Sequence, residues 1–347
     1  MILSLLFVAF IPNILSFSVW PNINKFPVFQ YLENFYENNQ YLPSKSILLH
    51  PKVNSYNITE HDKYQTQWYS IGHKSNFPFR VPRKITVWGK QYVIWKKSIT
   101  DYVCLVDTCP HGGESLSNGH VYNNCITCSQ HQSSFNENGE SVSGKTTLLE
   151  GSQLYDLPEF QVVEKNNMLY LNTYENVNNS TILYRDFPFV NSEFRQVFIE
   201  SSVSIHPTIL MENSLDVVHI IFAKLFTNKD SLEPSCVTKI DTNNALHHAV
   251  KYTYERGQNS LLNKLFDSHQ LTISSEVINP FTTISRVMID DKELAFETNI
   301  RPIRTNKSRV YVRCYRNFSL SYGGDKFINE IIQKVVDVYA QMSLHNA

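Results

Sequence analysis

The chain of 347 residues is long enough for about two domains, and its 42% apolar content can give each a buried core. Lys and Arg total 31 against 32 Asp and Glu and no basic run stands out, which argues against nucleic acid as a partner. Six cysteines spread over this length do not resemble the dense pattern of a secreted disulfide scaffold.

In chain order, residues 1–24 carry no charged side chain, and Ile2 to Ile11 is an apolar run of signal-peptide length. Pro12 and Asn13 interrupt it and no basic segment precedes it, so it reads as a hydrophobic leader: signal peptide, membrane anchor or organelle-targeting segment. A buried N-terminal segment is the plainer alternative. Residues 25–65 form an irregular polar and aromatic extension. From Gln67-Trp68 the pattern changes to short strands, Ile85 to Trp88, Gln91 to Trp95 and Tyr102 to Val106, then Gln161 to Val163 and Met168 to Leu171 around a turn at Glu164 to Asn167. This predicts an all-β module over residues 66–175.

Residues 176–347 differ. Leu210 to Phe226 predicts a helix, followed by strands at Lys251 to Tyr254, Gln270 to Val277, Thr282 to Ile289, Leu294 to Ile300 and Arg309 to Tyr315. Leu294, Phe296 and Ile300 fall on one face, as in a half-buried antiparallel strand. Asp325 to Met342 closes the chain as a helix, with Ile328, Ile331, Ile332, Val335 and Tyr339 at helical spacing. Strands followed by a packing helix predict an α+β second domain.

Within the first module, Cys109-Pro110-His111 is followed after sixteen residues by Cys128-Ser129-Gln130-His131. Two thiolates and two imidazoles on two short loops suit a [2Fe-2S] cluster in which two cysteines hold one iron and two histidines the other. A tetrahedral zinc site uses the same residue types, but it tends to pair two cysteines on one side and two histidines on the other. Cys125 also makes a Cys125-x-x-Cys128 pair that reads as a redox dithiol, an option that strands both histidines. Pro110, Gly112, Gly113 and Gly119 supply turns that bring backbone amides toward the sulfurs.

The spacing resembles that of Rieske proteins. The high-potential respiratory type has two further, disulfide-bonded cysteines, at positions occupied here by Glu114 and Gln130. The motif is therefore similar to the Rieske ferredoxin and oxygenase type, although the Gly-Trp that often follows the last His in oxygenases is Gln132-Ser133. An iron-sulfur cluster also points to a reducing compartment.

Asn213-Ser214-Leu215-Asp216-Val217-Val218-His219, continuing to Lys224, resembles the N-x-x-D-x-x-H-x-x-x-x-H segment of Rieske non-haem iron oxygenases. Asp325, with Glu330 beyond it, resembles the late carboxylate segment of that family. On composition alone, Asp216 and His219 are as readily a hydrogen-bonded i, i+3 pair on a helix. The resemblance implies a Rieske domain followed by an antiparallel-sheet, helix-grip (START-like) catalytic domain. It implies His219 and Asp325 as ligands of a mononuclear Fe(II), Asp216 as a bridge between cluster and iron across a homotrimer, and Asn213 lining the site. The second iron histidine of the pattern aligns with Lys224, whose ammonium has no lone pair at neutral pH.

Two functions follow. One is an oxygenase component that takes electrons from a ferredoxin or flavin reductase and activates O2, by mono- or dioxygenation, on an apolar ring substrate. The other is an electron-transfer or binding protein with a degenerate iron site, in which a cation at Lys224 replaces the metal beside Asp325. The apolar leader on such a chain is similar to the branches that act on chlorophyll catabolites or sterols, and it implies a membrane-associated or organellar location.

Overall fold

The computed structural model describes residues 68–142, 156–175, 193–211, 234–240, 248–255, 270–279 and 281–342, with residues 214, 215, 218, 219 and 222. The chain divides into two compact units, one taking residues 57–182 with 301–308 and the other the remainder. The leader and extension lie outside the described residues. Among the described residues no helix is long and apolar enough to cross a membrane.

The described strands of the first unit are β1 (Trp68–His73), β2 (Arg83–Val87), β3 (Lys90–Lys96), β4 (Tyr102–Val106), β5 (His120–Tyr122), β6 (Cys125–Thr127), β7 (Ser134–Phe135), β8 (Phe160–Lys165) and β9 (Met168–Glu175). They form three antiparallel sheets ordered β1-β9-β8, β2-β3-β4 and β5-β6-β7. Three of the hairpins close through two residues that both have positive φ: Trp88-Gly89, Asn123-Asn124 and Asn166-Asn167. Such turns match the twist of the flanking strands, and Asn and Gly tolerate the left-handed conformation best. Val93, Trp95, Val103 and Leu105 of β3 and β4 pack with Leu116, Ile126, Phe135 and Leu157 into one core, and Cys109 and Cys128 are part of it.

The second unit is built on a seven-stranded antiparallel sheet. Its strands are β10 (Arg195–Val203), β11 (Cys236–Ile240), β12 (His248–Glu255), β13 (Gln270–Asn279), β14 (Thr282–Ile289), β15 (Lys292–Arg304) and β16 (Lys307–Arg316), ordered β10-β16-β15-β14-β13-β12-β11. A closing helix, α1 (Tyr322–Met342), follows. Ile328, Ile332 and Val336 make its buried stripe, while the side chains of Ile331, Val335 and Tyr339 lie outside the described residues. This is the expected α+β class. The described residues from 207 to 222 are helical, and three contacts lay that segment on one sheet face: Ser214 Oγ to Thr283 Oγ1 at 2.7 Å, His219 stacked on Tyr252, and Phe222 against Phe296.

β15 corrects one expectation. It is buried on both faces from Leu294 to Pro302, not half-buried. The face opposite Phe296 carries Glu297, which pairs with Arg313 and accepts from Asn299 Nδ2 at 2.8 Å, while Thr282 donates to Asn299. Opposite charges and amides satisfying one another let a polar strand face enter the interior. The far end of β15 and the start of β16 belong to the first unit. There Trp88 N and Gly89 N donate to Pro302 and Ile303, and Arg301 Nη1 donates to Ile71 O at 2.9 Å.

Gly119 follows the 3-10 turn Leu116–Asn118 and sits so close to β6 that a Cβ there would lie 1.9 Å from Thr127 O. Backbone cannot yield as a flexible side chain can. Gly119→Ala is therefore expected to destabilise the first unit by about 3 kcal/mol or more, within the range of severe single substitutions, read as a lower urea midpoint of the cluster-loaded protein.

Candidate functional site

The two motif loops are built alike. In the first, Cys109 N donates to Glu114 O at 2.8 Å and Gly113 N donates back to Cys109 O at 2.8 Å. In the second, Cys128 N donates to Ser133 O at 2.9 Å and Gln132 N to Cys128 O at 3.2 Å. Each cysteine thus anchors a loop closed at the fourth and fifth residues beyond it, and the fourth residue must turn left-handed. Gly113 does so with φ 76°, whereas Gln132 does so with φ 61°. That is the position where oxygenase-type motifs often have glycine, and the chain tolerates a strained Gln there.

Both sulfurs lie inside, with Cys109 and Cys128 each 1% exposed, while His131 is at the surface. Burial pushes the Cys109 thiol up, the neighbouring Cys128 adds to this, and the backbone N–H groups of His111 and Gly112 oppose it by donating to the sulfur. The imidazoles meet edge to face, with Nδ1 of His111 and Nδ1 of His131 3.1 Å apart. Two nitrogens on one tetrahedral metal, with bonds of roughly 2.0–2.1 Å, would stand about 3.4 Å apart. The loops are braced from below: Asp107 is fully buried and accepts from Ser117 N at 2.6 Å and Ser117 Oγ at 2.8 Å, and Lys84 pairs with it at 3.3 Å.

Ser133 and Trp95 complete the fit. Ser133 Oγ and Trp95 Nε1 are buried without a hydrogen-bond partner, and each is a donor in or next to the core that holds the two cysteines. Unsatisfied buried donors normally cost roughly 1–3 kcal/mol. A bound cluster of iron and sulfide, rich in acceptors and held by Cys109 and Cys128, would offer such donors a partner. The four donors, two buried thiols and two converging imidazoles, fit a [2Fe-2S] cluster, which supplies one-electron chemistry when bound. Cys125 lies beside the second loop, in the wall of a cleft of about 520 Å³ with His120, Tyr122, Gln132 and Val142. All the cysteines are free thiols, so the described residues contain no disulfide.

The expected mononuclear site looks different. Asn213, Asp216 and Lys224 lie outside the described residues, as does His247. His219 is buried, hydrogen-bonded through Nε2 to Tyr254 Oη, and stacked on Tyr252 with ring centres 4.3 Å apart. Burial pushes the Tyr254 hydroxyl well above its ordinary pKa, so it stays protonated. Asp325 is held by two guanidiniums. Arg195 Nε reaches its oxygens at 2.6 and 2.7 Å and Arg195 Nη2 reaches Oδ2 at 2.5 Å, while Arg316 Nη2 donates to Oδ1 at 2.6 Å. Among the described residues no three His, Cys, Asp or Glu side chains converge on a point that could hold one metal ion. Of the expected iron ligands, the two described ones, His219 and Asp325, are thus each engaged by protein partners. Sequence reasoning missed Arg195, Arg316, Tyr252 and Tyr254; nothing local marks an arginine 130 positions upstream of its carboxylate.

Residues 67–149 match the Rieske [2Fe-2S] domain. The chain carries that domain over those residues, and its fold is similar to that of solved monooxygenases over about four fifths of its length. Among solved structures it is similar to dicamba monooxygenase bound to dicamba, with TM-score 0.67 and 14% identity over 81% of this chain and 88% of that one. It is also similar to NdmA of Pseudomonas putida CBB5 with caffeine, with TM-score 0.63 and 14% identity over 82% and 83% of the two chains. Among curated proteins it is similar to protein TIC 55, chloroplastic, of Arabidopsis thaliana, at 23% identity over 182 residues, half of this chain and 33% of that protein. The chain thus spans about a third of the length of that relative.

Two predictions follow from the geometry. Gln132→Gly relieves the left-handed strain at the second loop and is expected to raise stability by about 0.5–1 kcal/mol with the reduced-cluster EPR spectrum unchanged, as read by urea unfolding. At Asp325, burial works upward, but Arg195 and Arg316 outweigh it and hold the carboxyl below its ordinary range. A depressed pKa contributes stability that is fully present above the unfolded value, about 3.9, and is lost as pH falls through the lower folded value. The stability gap between wild type and Asp325→Asn should therefore be constant above about pH 5 and shrink below about pH 4, measured by urea unfolding across pH.

Proposed function

We propose that this chain is a Rieske oxidoreductase that accepts and passes on single electrons at Cys109, His111, Cys128 and His131. In this reading its second unit is a ligand-binding domain on the oxygenase scaffold, with the mononuclear iron replaced by an ion-paired carboxylate. The observation that carries it is the double clamp on Asp325. A carboxylate engaged at 2.5–2.7 Å by three N–H groups of two guanidiniums has its charge balanced without a metal. The Lys224 substitution and the commitment of His219 to Tyr254 support the same reading.

Electrons enter and leave at the imidazole edge, because His131 is exposed while both sulfurs are enclosed. A ferredoxin or flavin reductase is the donor that suits a one-electron centre of this kind. The likeness to a chloroplast protein supports an organellar location.

A second reading keeps the oxygenase chemistry. It is favoured by the fold likeness to dicamba monooxygenase, of which one similar structure contains non-haem iron, and by the order of His219 and Asp325 along the chain. In that case Asp325 must leave both arginines to meet iron, Asp216 bridges cluster and iron between subunits of a homotrimer, and an apolar substrate is oxidised with O2.

Iron analysis separates the two. After anaerobic reconstitution with excess Fe²⁺ and sulfide, two irons per chain and no O2 uptake with a reductase are expected, and Cys109→Ser should abolish the cluster absorbance. A third iron per chain together with O2-dependent turnover overturns the first reading in favour of the second.

A further inference from the structure

On the helix-covered face of the second unit's sheet the Thr283 hydroxyl meets Ser214 and the Tyr254 hydroxyl meets His219, but one polar place has no such match. Register puts Val250, Ser275, Ser285 and Phe296 in one row across β12, β13, β14 and β15, with the two serines directly opposite one another. The adjoining row is Tyr252, Ile273, Val287 and Leu294. Tyr252 and Phe296 are the residues that meet His219 and Phe222, so both rows face the helical segment. Ser275 is 3% exposed and Ser285 2%, and neither hydroxyl has a hydrogen-bond partner. One row over, by contrast, the Thr283 hydroxyl is matched by Ser214 at 2.7 Å.

Serine packs poorly on a buried strand face, where Val or Ile would be favoured, and an unsatisfied buried hydroxyl costs roughly 1–3 kcal/mol. Two such hydroxyls side by side form a small polar patch in an oily wall. Apolar pockets fix a ligand's orientation with a few convergent groups of this kind.

We infer that Ser275 and Ser285 recognise an uncharged oxygen, a carbonyl or hydroxyl, on an otherwise apolar ligand held between the sheet and the helical segment. Each serine donates or accepts one hydrogen bond. The four side chains of that row carry no formal charge among them, which favours a neutral group over a carboxylate. This deepens the proposed function, since it rests on the second unit being a ligand-binding domain; whether that unit also holds iron does not enter.

The test uses the full-length, cluster-loaded chain and two ring probes of the same shape, 9-fluorenone with a carbonyl and fluorene without one. Calorimetric titration is expected to show fluorenone bound about tenfold more tightly, the worth of one to two net hydrogen bonds. In the Ser275→Ala/Ser285→Ala variant that preference should vanish. The ligand-free variant should also melt at a higher temperature, because two unsatisfied hydroxyls are gone. Unchanged preference in the variant, equal binding of both probes by wild type as when a trapped water satisfies the serines, or no binding of either probe up to millimolar concentration overturns the inference. A variant that melts lower assigns the serines to structure and overturns it too. The iron count and O2 uptake report separately on the function of the cluster, so failure of one reading is not mistaken for failure of the other.

Discussion

The pair of closed loops at Cys109 and Cys128 is the constraint on which the first unit depends. Each loop is folded back on its cysteine by two backbone hydrogen bonds, so sulfur points into the core while imidazole points out. Polarity and packing follow from that arrangement. The sulfurs need a dry, rigid floor, which β3, β4, Leu116 and Phe135 provide, and the loops need a brace against the strands, which buried Asp107 provides through Ser117 and Lys84. Hydrogen bonds to the sulfurs and burial of the thiolates are the levers by which a protein tunes such a cluster.

The second unit is governed by a different problem, that of placing charge against a sheet whose strand β15 is buried on both faces. Glu297 and Asp325 are both met by guanidinium, Glu297 through one Arg313 nitrogen and Asp325 through the fork of Arg195 together with one Arg316 nitrogen. Removing one partner of such a set strands the others, which makes these groups resistant to piecemeal change. In the proposed function the same chemistry at Asp325 has a functional side, because a carboxylate engaged by two cations needs no metal to balance its charge. The cation expected beside Asp325 is Lys224, which lies outside the described residues; the structure shows Arg195 of β10 and Arg316 of β16 there, which the sequence reading did not anticipate.

Legibility varied with distance along the chain. The hairpins were readable because two-residue turns and strand alternation are local, and Tyr102 to Val106 and Thr282 to Ile289 match their predicted limits. The short strands β5 to β7 were not anticipated, since three residues carry no period. β15 was misjudged on one face because Glu297 and Asn299 look like solvent-facing residues until Arg313 and Thr282 are placed against them.

By itself the sequence determined the α+β class and the presence of a Rieske motif, with two cysteines and two histidines as the expected cluster ligands. These rest on residues a few positions apart, where bond geometry and strand periodicity leave few choices. Only the tertiary structure decided what surrounds Asp325 and His219, that Gln132 takes a left-handed turn, and that Ser275 meets Ser285 across a strand pair. The physical reason is that charge pairing and hydroxyl satisfaction are set by register and packing between distant strands, and no local pattern of residue types encodes them.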